Sequence, residues 1–155
     1  MKRVEVTTSI DVVKYDELSS MEQRLVDEAR KAATQAYAPY SKFHVGAAIA
    51  LNNGEVVTGS NQENVAYPSG MCAERVACYY AHTQHPEAKF EIIAIAAQGV
   101  DGAEVAQPIS PCGSCRQAML EYENLAKSDI KVILVGAKDV YIVPSVKSLL
   151  PLAFI

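Results

Sequence analysis

The stretch FEIIAIAAQG, residues 90–99, sets the architecture. From Ile92 to Ala97 it holds no polar residue. A run this short, rich in Ile and closed by Gly99, reads as a strand covered on both faces. Such a strand needs a layer above and a layer below, and its flanks supply them. Upstream, CAERVACYYAHTQ (residues 72–84) reads as a helix. Before it, FHVGAAIALNNGEVVTGSN (43–61) carries two apolar runs around Asn53-Gly54, the strongest short signal for a β-hairpin. Further up, SSMEQRLVDEARKAATQAY (19–37) has an apolar stripe at Met21, Leu25, Ala29, Ala32, Ala33 and Ala36. Ser19 and Glu22 form the S-x-x-E capping box, and Pro39 sets the end. Downstream, CGSCRQAMLEYENLA (112–126) reads as a helix, and IKVILVG (130–136) and DVYIVP (139–144) as strands. A turn of helix and an apolar tail, SVKSLLPLAFI, close the chain. The order α-β-β-α-β-α-β-β implies a three-layer α/β/α sandwich with a mixed five-stranded sheet. Residues 1–14 read as a polar arm, and 15–155 as a single domain.

Half of the 155 residues are hydrophobic and 21% are charged, so a core can form without disulfide staples. The net charge of −4 argues against a nucleic-acid partner, which calls for a basic face. The first twenty residues lack the apolar core of a signal peptide, and no apolar run approaches a membrane span. The expectation is a cytoplasmic chain without a membrane partner, its thiols reduced.

Cysteine is scarce, yet three of the four cysteines fall in two short windows, GMCAERVAC (70–78) and SPCGSCRQ (110–117). Cys112 and Cys115 are spaced C-x-x-C at a helix start. There both sulfurs can converge on one ion, and the helix N-terminus favours thiolate. Cys72, at the start of the other helix, can supply a third ligand, leaving a fourth position for water as in a catalytic zinc site. Glu74 follows two residues later, beside such a metal but not on it, where a carboxylate can carry protons. Three thiolates make the site formally negative, and Arg75 and Arg116 are placed to offset that charge. Three other readings stand beside this one. Cys112 and Cys115 could form a disulfide or a redox pair, although no βαβ start precedes them. A structural zinc knot would take its fourth ligand from Cys78, His82 or His85, with Cys78 better read as a small buried apolar residue.

AYAPYSKFHVGAA (36–48), GSNQENVAYPSG (59–70), the CAER and SPCGSCRQ windows and YIVPSVKSLLPLAF (141–154) together resemble the zinc-dependent cytidine deaminases. The likeness is to the small, homotetrameric three-cysteine branch acting on free nucleosides. It implies that Cys72, Cys112 and Cys115 bind one Zn2+, and that zinc-bound hydroxide attacks C4 of cytosine while Glu74 shuttles protons. It implies further that the Ala73 N–H holds the pyrimidine O2 and the Ser110 carbonyl accepts the leaving ammonia. Asn61 and Glu63 then hold the ribose 3′-hydroxyl, and Phe43 lies against the base. Phe154 stacks on the base from a neighbouring subunit. His44 stands where that family often has Pro. The arm before Val12 lies outside the resemblance. A blasticidin S deaminase-like enzyme shares the metal motifs, but "NQEN" favours the nucleoside. A polynucleotide deaminase is disfavoured by the acidic balance. A non-catalytic zinc-stabilised module has no use for Glu74.

Overall fold

A computed structural model describes all 155 residues, Met1–Ile155. In chain order the elements are β1 (Asp11–Val13), α1 (Ser20–Ala33), β2 (His44–Leu51), β3 (Val56–Ser60), α2 (Ala73–Gln84), β4 (Phe90–Gln98), α3 (Gly113–Ala126), β5 (Lys131–Val135) and β6 (Val140–Val143). The sheet order is β1-β6-β5-β4-β2-β3. The sheet has six strands, not the expected five. Residues 11–13, read as part of a polar arm, pair antiparallel with β6, Val12 opposite Tyr141. Three residues with one half-buried valine are too short to give a strand signal of their own. No helix is long and apolar enough to cross a membrane.

β2 is antiparallel to both β3 and β4, and β4 runs parallel to β5. The expected both-face burial of residues 90–99 holds along β4, where side chains alternate between two cores. Ile49, Ile93, Ile95, Val132 and Leu134 join the core under α2 and α3. Ala48, Ala50, Ala94, Ala96 and Ile133 face α1 with Leu25, Val26 and Ala29. The α1 face is thus paved mostly with alanine, and α1 sits close. A Cβ on Gly46 would overlap the Ala29 carbonyl oxygen and the Ala33 nitrogen, so only glycine lets the helix backbone lie there.

The capping box forms as expected: the Glu22 N–H donates to Ser19 Oγ, and the Ser19 N–H donates to Glu22 Oε2 at 2.9 Å. α1 ends at Ala33, well before Pro39. The chain leaves the helix because Tyr37 pairs with the loop after β3. Its N–H donates to the Asn61 carbonyl at 3.0 Å, and its own carbonyl accepts from the Glu63 N–H at 2.8 Å. Asn53-Gly54 makes the hairpin turn, with Gly54 at φ +88°.

Glu22 also joins α1 to the sheet, accepting from Lys131 Nζ at 2.8 Å. Burial works to raise its pKa, but the Lys131 and Ser19 hydrogen bonds outweigh that and hold it at about 2. A depressed carboxyl contributes stability above its unfolded value near 4.5 and loses it as pH falls toward 2. That contribution is on the order of 2–3 kcal/mol at neutral pH. Glu22→Gln should therefore unfold earlier in urea at pH 7, and the gap to the wild type should close between pH 5 and pH 2. A gap that stays constant across that range would refute the ion pair as its source.

Candidate active site

β3 and β4 are both antiparallel to β2, so they point the same way. α2 follows β3 and α3 follows β4, which brings both helix N-termini to one end of the sheet. Open α/β sheets bind ligands at the carboxyl ends of their strands, and the chemistry here collects at such an end. Cys72 is the N-cap of α2 and Cys112 that of α3, with Cys115 in the first turn of α3. The Sγ atoms of Cys72 and Cys112 lie 4.0 Å apart and those of Cys112 and Cys115 3.4 Å apart; all three fall within 4.8 Å.

These distances decide between the cysteine readings. A disulfide needs sulfurs about 2.0 Å apart, and all four cysteines are free. Thiolates about 2.3 Å from one tetrahedral ion stand roughly 3.8 Å from each other, a spacing that the two measured distances straddle. The donor set, three soft sulfurs with no oxygen, suits zinc. No fourth protein ligand converges. Cys78 is fully buried in the core under α2, and burial pushes its thiol up. His82 lies against Tyr122, the rings tilted at 53°, towards the other end of α2, and His85 caps that end. The three-sulfur set is that of an open site, not of a closed knot.

The cluster's charge is managed locally. The hydrogen bond from Cys115 holds the Cys72 thiol below its ordinary value; burial opposes it, and Arg75 adds to it. Arg75 donates to the Cys72 sulfur at 3.6 Å. Arg116 does not meet a sulfur. Its guanidinium donates to the Pro111 carbonyl at 2.9 Å, the Leu149 carbonyl at 2.8 Å and Ser110 Oγ at 2.7 Å. One residue past Cys115, it is turned about 100° around the helix, away from the metal side. Glu74 is 4% exposed, and burial raises its carboxyl, with the Cys72 charge adding to the effect.

A cavity of about 170 Å³ opens beside the sulfurs, walled by Val45, Asn61, Ala73, Glu74, Ile109 and Ser110 as well as Cys72 and Cys112. Asn61 and Cys72 also border a groove of about 610 Å³ with Glu63, Tyr40, Tyr67 and Arg75. Asn61 is held in place: Oδ1 accepts from the Val45 N–H at 2.7 Å, and Nδ2 donates to the Phe43 carbonyl at 3.0 Å. Glu63 Oε2 accepts from the Tyr40 and Ser41 N–H groups at 2.9 and 3.2 Å. Phe43 lends its carbonyl to Asn61, and its ring borders neither space; Val45, two residues on in β2, borders the smaller one. Phe154 is 88% exposed and lines neither space of its own chain. The Gln117 amide clasps its backbone, donating to the carbonyl at 2.8 Å and accepting from the N–H at 3.4 Å.

Sequence reading passed over Val45, Ile109, Gln117 and Glu123. Glu123 is buried in α3 and accepts from the Ile130, Val146 and Lys147 N–H groups at 2.9, 2.7 and 3.0 Å. Its place on the buried stripe Cys115, Met119, Leu120, Glu123, Ala126 is the signal that could have found it.

With this geometry in hand, comparison with known proteins places the chain. The sequence model described as the cytidine and deoxycytidylate deaminase zinc-binding region matches residues 19–129. The chain belongs to that family. A cytidine deaminase of Halalkalibacterium halodurans is 40% identical over 132 residues, 85% of this chain and 92% of that protein. The crystal structure of cytidine deaminase from Burkholderia pseudomallei superposes with a TM-score of 0.72 at 37% identity, covering 88% of this chain and all of that one. The Mycobacterium tuberculosis cytidine deaminase structure gives 0.65 at 32% identity, with 88% and 98% coverage. The family binds zinc, and Cys72, Cys112 and Cys115 form a group that could hold it.

Gly59 of β3 fixes where the first turn of α2 lies. A Cβ there would stand 2.5 Å from the Ala77 nitrogen and 2.8 Å from the Ala73 carbonyl oxygen. Both are backbone atoms of the helix carrying Cys72 and Glu74. Gly59→Ala should lower the melting temperature and, in protein that still folds, weaken zinc retention against a chelator. Unchanged zinc retention in a folded variant would separate this contact from the site.

Proposed function

We propose that the protein is a zinc-dependent hydrolase converting free cytidine or deoxycytidine and water into uridine or deoxyuridine and ammonia, a step of pyrimidine salvage in the cytoplasm. The observation that carries this reading is the convergence of three sulfurs beside a buried carboxyl at the wall of a small cavity. Cys72, Cys112 and Cys115 would hold the zinc, which would supply Lewis acidity toward the attacking water. Glu74 takes a proton from that water and delivers it to N3 of the base. It then takes the proton of the new C4 hydroxyl and passes it to the departing amine, which leaves as ammonia. The Ala73 N–H donates to the pyrimidine O2, and the Ser110 carbonyl accepts from the amine.

The sugar is held by what Asn61 and Glu63 have left over. Asn61 retains one Nδ2 hydrogen and Glu63 retains Oε1, a donor and an acceptor for a 3′-hydroxyl. The groove bordered by Glu63 has Arg75 as its one cation, already donating to Cys72. That charge arrangement suits an uncharged sugar rather than a phosphate. Arg75 offsets the thiolate charge, while Arg116 acts at one remove by bracing the Ser110–Pro111 wall. Phe43 supports the sugar through Asn61, whose Nδ2 donates to its carbonyl. Phe154, exposed in its own protomer, stacks on the base in a neighbouring subunit of a homotetramer.

Glu74→Gln tests the proton path. It should retain about one zinc per chain and lose at least about 100-fold in turnover of cytidine, read as loss of cytosine absorbance. Turnover near the wild-type rate would remove Glu74 from the chemistry. Deleting Phe154 and Ile155 should raise KM for cytidine by roughly 3- to 10-fold through lost stacking, with zinc content unchanged. An unaltered KM would leave the tail outside the substrate site.

A further inference from the structure

The arm ahead of β1 lies outside the matched family region, which starts at residue 19. Its sequence nevertheless has strand order. Val4, Val6, Thr8, Ile10 and Val12 occupy every second position, and Arg3, Glu5, Thr7, Ser9 and Asp11 fall between them. That is the alternation of a strand with one apolar face. In the isolated chain this face is uncovered: Val4, Val6, Ile10 and Val12 are all exposed. β1, into which the arm runs, is an edge strand with β6 on one side only. The arm is nonetheless attached, since Thr8 Oγ1 donates to the Ser148 carbonyl at 2.7 Å. An edge strand with an open apolar face is a template for another strand.

We propose that residues 2–12 pair antiparallel with the same segment of a second copy of this chain, about a two-fold axis at Thr7. A two-fold interface must be self-complementary, and this segment is so in one long register. With Thr7 opposite Thr7, Val4 faces Ile10, Val6 faces Thr8, Glu5 faces Ser9 and Arg3 faces Asp11, each pair occurring twice, and at the ends the Lys2 stem lies along Val12. Moving the axis to Thr8 keeps the apolar pairs but sets Glu5 against Asp11. Moving it to Glu5 sets that carboxylate against itself. Like charges directly opposite destabilise a ladder, which removes these two; an axis at Val6 has no such clash but sets Arg3 against Ser9 and Glu5 against Thr7, so only the Thr7 register matches opposite charges across the long segment. An axis at Val4 also matches Arg3 with Glu5, but it pairs only residues 1–7 and leaves β1 unpaired. The Thr7 register instead continues the six-stranded sheet of one copy into that of the next. A second copy is favoured over a foreign strand because the complementarity is written within the segment itself.

The full-length chain carrying Thr7→Cys tests this, with wild-type protein as the baseline for its native cysteines. Mild air oxidation should yield covalent dimers whose linking peptide maps to position 7. Glu5→Cys, about four residues from its own copy in this register, should not link to itself, whereas a mixture of Glu5→Cys and Ser9→Cys chains should cross-link. Adding Arg3→Glu to Thr7→Cys sets two carboxylates opposite each other and should slow cross-linking about tenfold. Adding Asp11→Arg as well should restore it. Self-linking of Glu5→Cys as fast as that of Thr7→Cys, or indifference to Arg3→Glu, would overturn the proposal. Because the readout is a covalent bond between arms, it stands apart from deaminase activity and from any other subunit contact.

Discussion

Three sulfurs that repel one another as thiolates have to be held at one point. The rest of the structure is arranged around that constraint. A cation is the principal answer, but the protein contributes before any ion arrives. Two helix N-termini face the cluster through their caps, Cys72 and Cys112, and a helix N-terminus stabilises negative charge. Arg75 adds one donated N–H. The sheet makes this possible at low cost in chain length. Because β3 and β4 both run against β2, the helices that follow them begin at the same edge. A hairpin followed by an antiparallel neighbour therefore brings together cysteines forty residues apart in sequence.

α3 carries more than its two ligands. Down its length Arg116 takes the Leu149 carbonyl, Gln117 the Phe154 backbone, and Glu123 the N–H groups of Val146 and Lys147. The C-terminal segment is thus fastened along the helix whose first turn holds Cys112 and Cys115. Arg116 also reaches Ser110 and Pro111, in the loop that enters that helix. The metal half of the site and the tail behave as one body, and displacing either should be felt by the other. This gives Arg116 a mechanical task where its sequence position beside Cys115 pointed to an electrostatic one.

What was legible in the sequence was what depends on local chemistry. The capping box at Ser19, the turn at Asn53-Gly54 and the two-faced burial of residues 90–99 each follow from a few neighbouring residues. The sulfur cluster was legible for a different reason: few functions call for C-A-E and C-x-x-C at two helix starts. Long-range geometry was hidden. β1 carries too few residues for a pattern, and its pairing is set by β6 across the whole chain. The direction of Arg116 depends on where the Leu149 carbonyl lies, 33 residues away. The early end of α1 comes from Tyr37 pairing with a loop that its own sequence cannot foretell.

The two faces of the sheet divide rigidity from adjustment. On the α1 face alanines and Gly46 let backbone lie nearly on backbone, a contact with no rotamers to relax. On the other face Ile49, Ile93 and Ile95 hold α2 and α3 farther off, on branched side chains that can shift by tenths of an ångström. α2 and α3 would be the looser layer but for Gly59. There α2 is drawn onto β3 beside Ala73 and Ala77, one turn from Cys72. A close backbone contact on that face thus lies beside Cys72 and Glu74. Away from it, toward Tyr122 and His82, packing is left to aromatic rings that tolerate change. Precision is concentrated in the first turn of the helix, which carries Glu74 beside the Cys72 cap.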